Sequence, residues 1–331
     1  MSSASTSVSI PKKMKAAVID RYGEPEEVMH TATVAVPAVG DRDVLVDVRA
    51  AGVGVWDPEL CRGEFGAGGS FPKILGSDGA GTVVSVGSKV RRVHVGDRVY
   101  AFGFMNPKGG FYAEYASLPE DECVPVPDTL ALDEAAALAV DGLTALAGLD
   151  RLELRRGKRV MIFGASGGVG HIAIELARRM GARVLAIASG RDGVRLVRRL
   201  GADEAIDGHA EDAELADAVR AFAPKGLDAA LVLAPGADEL VALVKPKGRV
   251  AYPNGVEPAP RRRRGVTVSA YDGYRGREAL ERLNALVAKG PFHVEVSKQY
   301  PLDEAPQALA DVTRHHLGKL AIRVHPNGKR R

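Results

Sequence analysis

The sequence predicts an α/β protein in which a doubly wound parallel sheet is inserted into a mostly β domain. Three observations carry this. A glycine-rich loop, Gly164-Ala165-Ser166-Gly167-Gly168-Val169-Gly170, stands between an apolar β run and an amphipathic helix. Around it, near-continuous apolar strands alternate with helices, the pattern of a parallel sheet covered on both faces. The flanking regions read instead as short strands alternating apolar and polar residues, as half-buried antiparallel strands do.

With 331 residues the chain has room for two domains, each with its own core. It is 46% apolar and 26% charged with a net charge of +3, a globular composition that argues neither for nucleic acid nor for membrane binding. No apolar run is long enough to span a bilayer. The only cysteines, Cys61 and Cys123, exclude a disulfide scaffold and a multi-cysteine zinc site, and they suit a cytoplasmic protein. Residues 1–13 are rich in serine without the apolar stretch of a signal peptide, and are expected to be a disordered lead-in. The tail Asn327-Gly328-Lys329-Arg330-Arg331 is expected to be a frayed terminus.

In chain order, the fold should begin at Lys15-Ala16-Ala17-Val18-Ile19. Strands follow at Val44–Val48, Gly81–Val86 and Arg98–Ala101, punctuated by turns such as Val95-Gly96-Asp97-Arg98. From Leu132-Asp133-Glu134 the pattern changes. Apolar strands are predicted at Arg159–Phe163, Arg183–Ile187, Leu227–Leu233, Gly248–Tyr252 and Val266–Ala270. The helices His171–Met180 and Val194–Leu200 are closed by Gly181 and Gly201, where a left-handed residue is wanted. After a helix at Glu278–Ala288, the segments His293–Val296 and Leu320–Val324 return to β character. They should rejoin the first domain, giving a mostly β domain over 14–129 and 290–326 and a doubly wound domain over 130–289. The strand Val266–Ala270 should lie at a sheet edge, where an open apolar edge invites a second copy and hence a homodimer.

The glycine loop is the most telling motif. Small residues let the backbone approach a pyrophosphate, and free N–H groups at the helix start bind its charge. Ala165, Ser166, Gly167, Gly168 and Val169 are the expected contacts. The strand before and the helix after are the context the motif requires; a purely structural turn is the alternative. An NAD site usually places a carboxylate about 20 residues further on. Here the second strand ends in Ala188-Ser189-Gly190-Arg191, and Ser189 and Arg191 could bind a 2′-phosphate. NADPH is therefore the expected cofactor. The alternative is that Arg191 merely starts a surface helix, with Asp192 beside it.

Further motifs occur in order: Met14-Lys15-Ala16-Ala17-Val18, Ala50-Ala51-Gly52-Val53, Gly76-Ser77-Asp78-Gly79-Ala80-Gly81, Gly96-Asp97-Arg98-Val99, Gly110-Phe111-Tyr112-Ala113-Glu114-Tyr115, Gly142-Leu143-Thr144-Ala145-Leu146 and Gly318-Lys319-Leu320. With these the chain resembles the medium-chain dehydrogenases/reductases from Met14 to Val324, most closely their zinc-free quinone oxidoreductase branch. The resemblance implies a GroES-like catalytic domain, a Rossmann domain and a cleft between them. Thr144, Leu233, Ala234, Tyr252, Asn254 and Lys319 complete the expected cofactor contacts.

The resemblance places the zinc ligands of metal-dependent members at Gly54, Ser77 and Val140. A catalytic zinc needs three protein ligands of N, S or carboxylate type, and Gly54 and Val140 supply none. The four-cysteine structural zinc lobe is also missing. Asp57, Asp78 and Asp141 do not make a set and read as caps and turn hydrogen bonds. No metal is expected. Zinc normally holds the alkoxide in alcohol oxidation; quinones and α,β-unsaturated carbonyls need no such help, since conjugation carries the charge to oxygen. The protein must then orient the acceptor and offer a hydrogen-bond donor.

The zinc-free branch often carries Asn at the position of Gly54 and Tyr or Lys near Glu59, and this chain departs at both. Tyr112 and Thr144 are the expected catalytic hydroxyls facing the cleft, with Ser77 a third. Thr144 is also expected at the nicotinamide ribose or amide. Tyr112 reads equally as a packed aromatic, and water could supply the final proton.

Trp56 reads as a pocket wall or as core. Arg261-Arg262-Arg263-Arg264 reads as a solvated loop rather than a phosphate-binding patch. The 8 histidines show no metal spacing, and His315-His316 suits a helix end. Cys61 has no activating base nearby in sequence. The expected activity is metal-independent, NADPH-dependent reduction of a quinone or enone. The rivals are an enoyl-thioester reductase of the same family and a non-catalytic NADPH-binding protein, structural or RNA-binding.

Overall fold

Three sheets organise the chain in the computed structural model, which describes residues 9–66 and 70–325. The lead-in up to residue 8 and the tail from Asn327 lie outside the described residues, and the first strand, Lys13–Ile19, begins two residues before the predicted start.

The largest sheet runs Val296–Pro301, Lys319–Arg323, Asp43–Val53, Asp78–Val86, Arg98–Phe102 and Cys123–Pro125, with Tyr115–Pro119 also pairing Asp43–Val53. It is antiparallel except where its two C-terminal strands pair in parallel. The end of the chain thus returns to the sheet built by the beginning. Beside it, Lys13–Ile19 pairs antiparallel with Met29–Ala35 and with Lys73–Ile74.

The second large sheet is parallel throughout, in the order Glu204–Asp207, Arg183–Ala188, Arg159–Phe163, Leu227–Val232, Val244–Pro253 and Thr267–Tyr271. The period of two in its central strand explains why it is covered twice. Val160 and Ile162 join a core with Leu143, Leu146 and Ile172, while Met161 joins another with Leu215, Val219 and Phe222. The first of these cores also holds Ala50, Ala80 and Tyr100, so the helix Ala139–Arg151 is packed by both large sheets. Among the described residues no helix is long and apolar enough to cross a membrane.

Within the parallel sheet the sequence pattern missed one strand. Glu204–Asp207 has only four residues, two of them acidic, too short for a period to show. The helix expected at Val194 begins at Gly190, so Arg191 does lie in a first helical turn. The predicted strand at His293 begins only at Val296. The intervening N–H groups are taken by side chains instead: His293 donates to Glu175 Oε1 (2.9 Å) and Glu295 to His171 Nε2 (3.1 Å). Gly181 and Gly201 sit at φ of 84° and 90°, as the helix ends require. Thr267–Tyr271 is one of the two edge strands of the parallel sheet.

Candidate functional site

The strand order of the parallel sheet reverses between Arg159–Phe163 and Leu227–Val232, and ligands of such sheets bind outside the strand ends at that point. The glycine loop stands there. Gly164 turns at a φ of 80°, and the N–H groups of Gly164 and Ala165 reach Ile187 O at 3.2 and 2.9 Å. Gly167 caps the helix Gly168–Arg179, whose first N–H groups have no carbonyl in their own turn. A Cβ on Gly170 would overlap Gly164 O and come within 2.7 Å of Ala165 Cα, so strand and helix could not pack with any other residue. A Cβ on Gly167 would meet only Gly164 O, at 3.6 Å. That face is open. The backbone, the small side chains and the dipole end fit a pyrophosphate.

Of the expected loop contacts, Ala165 and Ser166 are buried, while Gly167, Gly168 and Val169 are half-buried. Ser166 Oγ accepts the Ser189 N–H at 3.1 Å, tying the loop to the end of the second strand. His171, read from sequence only as a helix start, is fully buried. Its Nε2 accepts from Glu295, so Nδ1 carries the proton and donates to Gly167 O at 2.9 Å. Burial holds this imidazole below its usual range, in the neutral form that such a bridge needs.

Ser189, Arg191, Leu233, Ala234, Tyr252 and Asn254 all fall at or just beyond C-terminal ends of parallel strands, around one crevice. Leu233 donates its N–H to Phe163 O at 2.9 Å, and Asn254 Nδ2 donates to Asp272 Oδ1 at 2.8 Å. The missed strand brings one acid close to this turn. Asp207 Oδ1 accepts the N–H groups of Gly190 (2.9 Å) and His209 (3.1 Å), which hold its carboxyl below the usual range.

Beneath the loop lies a buried polar cluster. Lys319, expected at the cofactor, is only 3% exposed. Its Nζ lies 3.1 Å from Asp141 Oδ2 and 3.3 Å from Asp78 Oδ2, and 4.9 Å from the Trp56 ring centre. The ammonium therefore stands behind the loop, drawn there by two carboxylates. A Cβ on Gly168 would overlap Asp141 Oδ2 and lie 3.3 Å from Lys319 Cδ, so the loop rests on this pair. Burial opposes the charge on Lys319, but Asp141 and Asp78 outweigh it and hold the ammonium above the usual lysine range. Asp78 is pushed well above the ordinary carboxylate range by burial, against the pull of Lys319. Its Oδ1 accepts the Val140 N–H at 2.7 Å.

Tyr112 takes the second of its two readings, a packed aromatic. It is fully buried, and its hydroxyl donates to Asp57 Oδ2 at 2.5 Å instead of facing the cleft. A buried carboxylate is costly to leave unpaired and captures the donors the fold brings near. Asp57 accepts the Gly54 N–H as well (2.8 Å), and burial still pushes its carboxyl up to about 6. Thr144 is half-buried, and its hydroxyl bonds back to Val140 O at 2.8 Å. Ser77 Oγ accepts from Trp56 Nε1 at 2.9 Å.

The position of Gly54 now has a steric reason. A Cβ there would overlap the Trp56 indole, which fills the space a ligand side chain would take. Sequence reasoning had no signal for this, because the indole folds back over its own turn. Among the described residues, no three His, Cys, Asp or Glu side chains group so as to hold a metal ion. Phe65 and Phe104 meet edge to face at 5.4 Å, and the Arg275 guanidinium lies 5.5 Å from the ring centres of both Phe102 and Phe104.

Known proteins share this architecture. A family model described as the alcohol dehydrogenase GroES-like domain matches residues 40–128, and one described as zinc-binding dehydrogenase matches residues 200–322. The chloroplastic NADPH-dependent alkenal/one oxidoreductase of Arabidopsis thaliana is 32% identical over 95% of this chain and 80% of its own. The quinone oxidoreductase of Mus musculus is 31% identical over 93% of this chain and 96% of its own. The solved quinone oxidoreductase of Coxiella burnetii superposes with a TM-score of 0.81 at 28% identity, covering 95% of this chain and all (100%) of that one. A mycobacterial protein solved in complex with NADPH superposes with a TM-score of 0.79 at 25% identity, covering 94% of this chain and 100% of that one.

Proposed function

Because the chain belongs to the medium-chain dehydrogenases/reductases, in their quinone oxidoreductase-like part, we propose that it is a metal-independent NADPH reductase of quinones or α,β-unsaturated carbonyls. That it is an oxidoreductase follows from its relatives. The observation that carries the rest is the glycine loop at the reversal point of the parallel sheet, facing a wall on which Gly54 and Val140 offer no metal donor. The lobes would be 14–129 with 290–326 for the acceptor and 130–289 for the cofactor.

NADPH, when bound, supplies the hydride. The helix start at Gly168 binds the pyrophosphate through backbone N–H groups, and Ser189 and Arg191 take the 2′-phosphate. Trp56 and Val140 form an apolar wall that excludes water and holds a flat acceptor against the nicotinamide side of the cleft. Thr144 lies on the helix that carries Val140 and orients the nicotinamide end. The Tyr112 hydroxyl is already given to Asp57, so the oxyanion takes its proton from water. The open edge of Thr267–Tyr271 supports a homodimer, which sedimentation at micromolar concentration would show as a doubled mass; a monomer would refute it.

The test is NADPH consumption by protein dialysed against a chelator, with benzoquinones, alkenals, alkenones and an enoyl thioester as acceptors. Turnover of at least one quinone or enone is expected, with NADH poorer. Tight cofactor binding without turnover of any acceptor would overturn the enzyme reading, and turnover of the thioester alone would favour the rival reductase.

A further inference from the structure

The segment between the helix Ala305–Asp311 and the strand Lys319–Arg323 crosses from the mixed sheet to the cofactor crevice. Gly318 donates its N–H to Ser166 O at 2.8 Å and forms a parallel bridge with Gly167, so the segment is strapped to the glycine loop. Three residues earlier, His315 reaches the turn after the second strand. Its Nδ1 lies 3.4 Å from Ser189 Oγ and its Nε2 lies 3.3 Å from Asp192 Oδ2.

We propose that His315 is a specificity-determining residue for the cofactor, closing on the 2′-phosphate from the opposite lobe. This rests on the NADPH reading above. One ring nitrogen faces the Asp192 carboxylate, which orients the imidazole, and the other faces the Ser189 hydroxyl, where the 2′-phosphate would sit. A phosphate there only accepts, so a ring N–H given to it is a contact that a nucleotide without the 2′-phosphate cannot make.

Several other charged groups nearby are already engaged. On its own segment Arg314 pairs with Asp311 at 3.0 Å, and His316 Nδ1 contacts Arg314 O at 2.8 Å. Across the turn, Asp207 holds the Gly190 N–H and pairs with His209 at 3.0 Å. Asp192 itself accepts the Gly193 N–H at 2.9 Å at its helix start, and the His315 ring helps hold its carboxyl below the usual range. Arg191 is exposed beside it and adds charge without a fixed partner ring.

The test compares binding of 2′,5′-ADP and 5′-AMP to the whole protein by calorimetry. The wild type should prefer 2′,5′-ADP at least tenfold. His315→Gln, an exposed substitution, should cut the preference about tenfold and leave 5′-AMP affinity within twofold. If the variant keeps the preference, the role of His315 is wrong while the NADPH reading stands. If the wild type binds the two ligands alike, both are wrong.

Discussion

The two walls of the cleft are built on different principles. On the cofactor side, the loop Gly164–Gly170 works through its backbone, and its side chains are there mainly to be small. On the facing side, Trp56, Ser77, Asp57 and Tyr112 work through their side chains, and each is fixed by another. A backbone site tolerates nothing added but asks little of its neighbours. A side-chain site can be rewritten, provided its buried charges stay balanced. The comparison teaches where this chain could have diverged without losing its cofactor.

The largest effect should come where the walls meet. Lys319→Met keeps the length of the stem and removes the ammonium between Asp78 and Asp141, leaving buried carboxylates without a counter-charge. Such a loss costs about 3–5 kcal/mol, read as a fall in Tm and in cofactor affinity together. The cost should grow with pH. Without the ammonium the folded-state pKa of Asp78 rises further above its unfolded value, so stability is kept at low pH and lost as pH rises through the folded value. A Tm unchanged between wild type and variant from pH 5 to 8 would show that the cluster does not support the loop.

A smaller effect should separate the walls. Gly54→Asn, the residue common in the zinc-free branch, would press its Cβ into the Trp56 indole. Overpacking of this kind costs about 1–3 kcal/mol. Trp56→Ala in the same chain should recover most of it, giving a coupling of about 0.5–3 kcal/mol in a double-mutant cycle. NADPH affinity should move by less than twofold in either variant. Strict additivity would mean that Trp56 is not what selects glycine at position 54.

The same contrast explains what could be read in the sequence. The glycine loop, its flanking strand and helix and the parallel sheet were legible, because backbone requirements are written in consecutive residues. Gly181 and Gly201 marked helix ends for the same reason. The short strand Glu204–Asp207 escaped because four residues carry no period, and with it escaped Asp207 beside Gly190. The facing wall was legible only in part. Asp57, Asp78, Asp141 and Lys319 come from four distant stretches, and nothing local says that they meet. For Tyr112 the sequence left a cleft hydroxyl and a packed aromatic equally open, and the fold decides for the second by spending its hydroxyl on Asp57.

The central claim is that this loop and that wall together pass hydride from NADPH to a conjugated carbonyl. It is tested most directly by following the label from NADPH deuterated at C4 of the nicotinamide into an alkenone, with chelator-treated protein in ordinary water. The account predicts reduced product with deuterium on the β-carbon from one face of the cofactor and ordinary hydrogen on the α-carbon. Product formed only after zinc is restored, or no deuterium at the β-carbon, would contradict it.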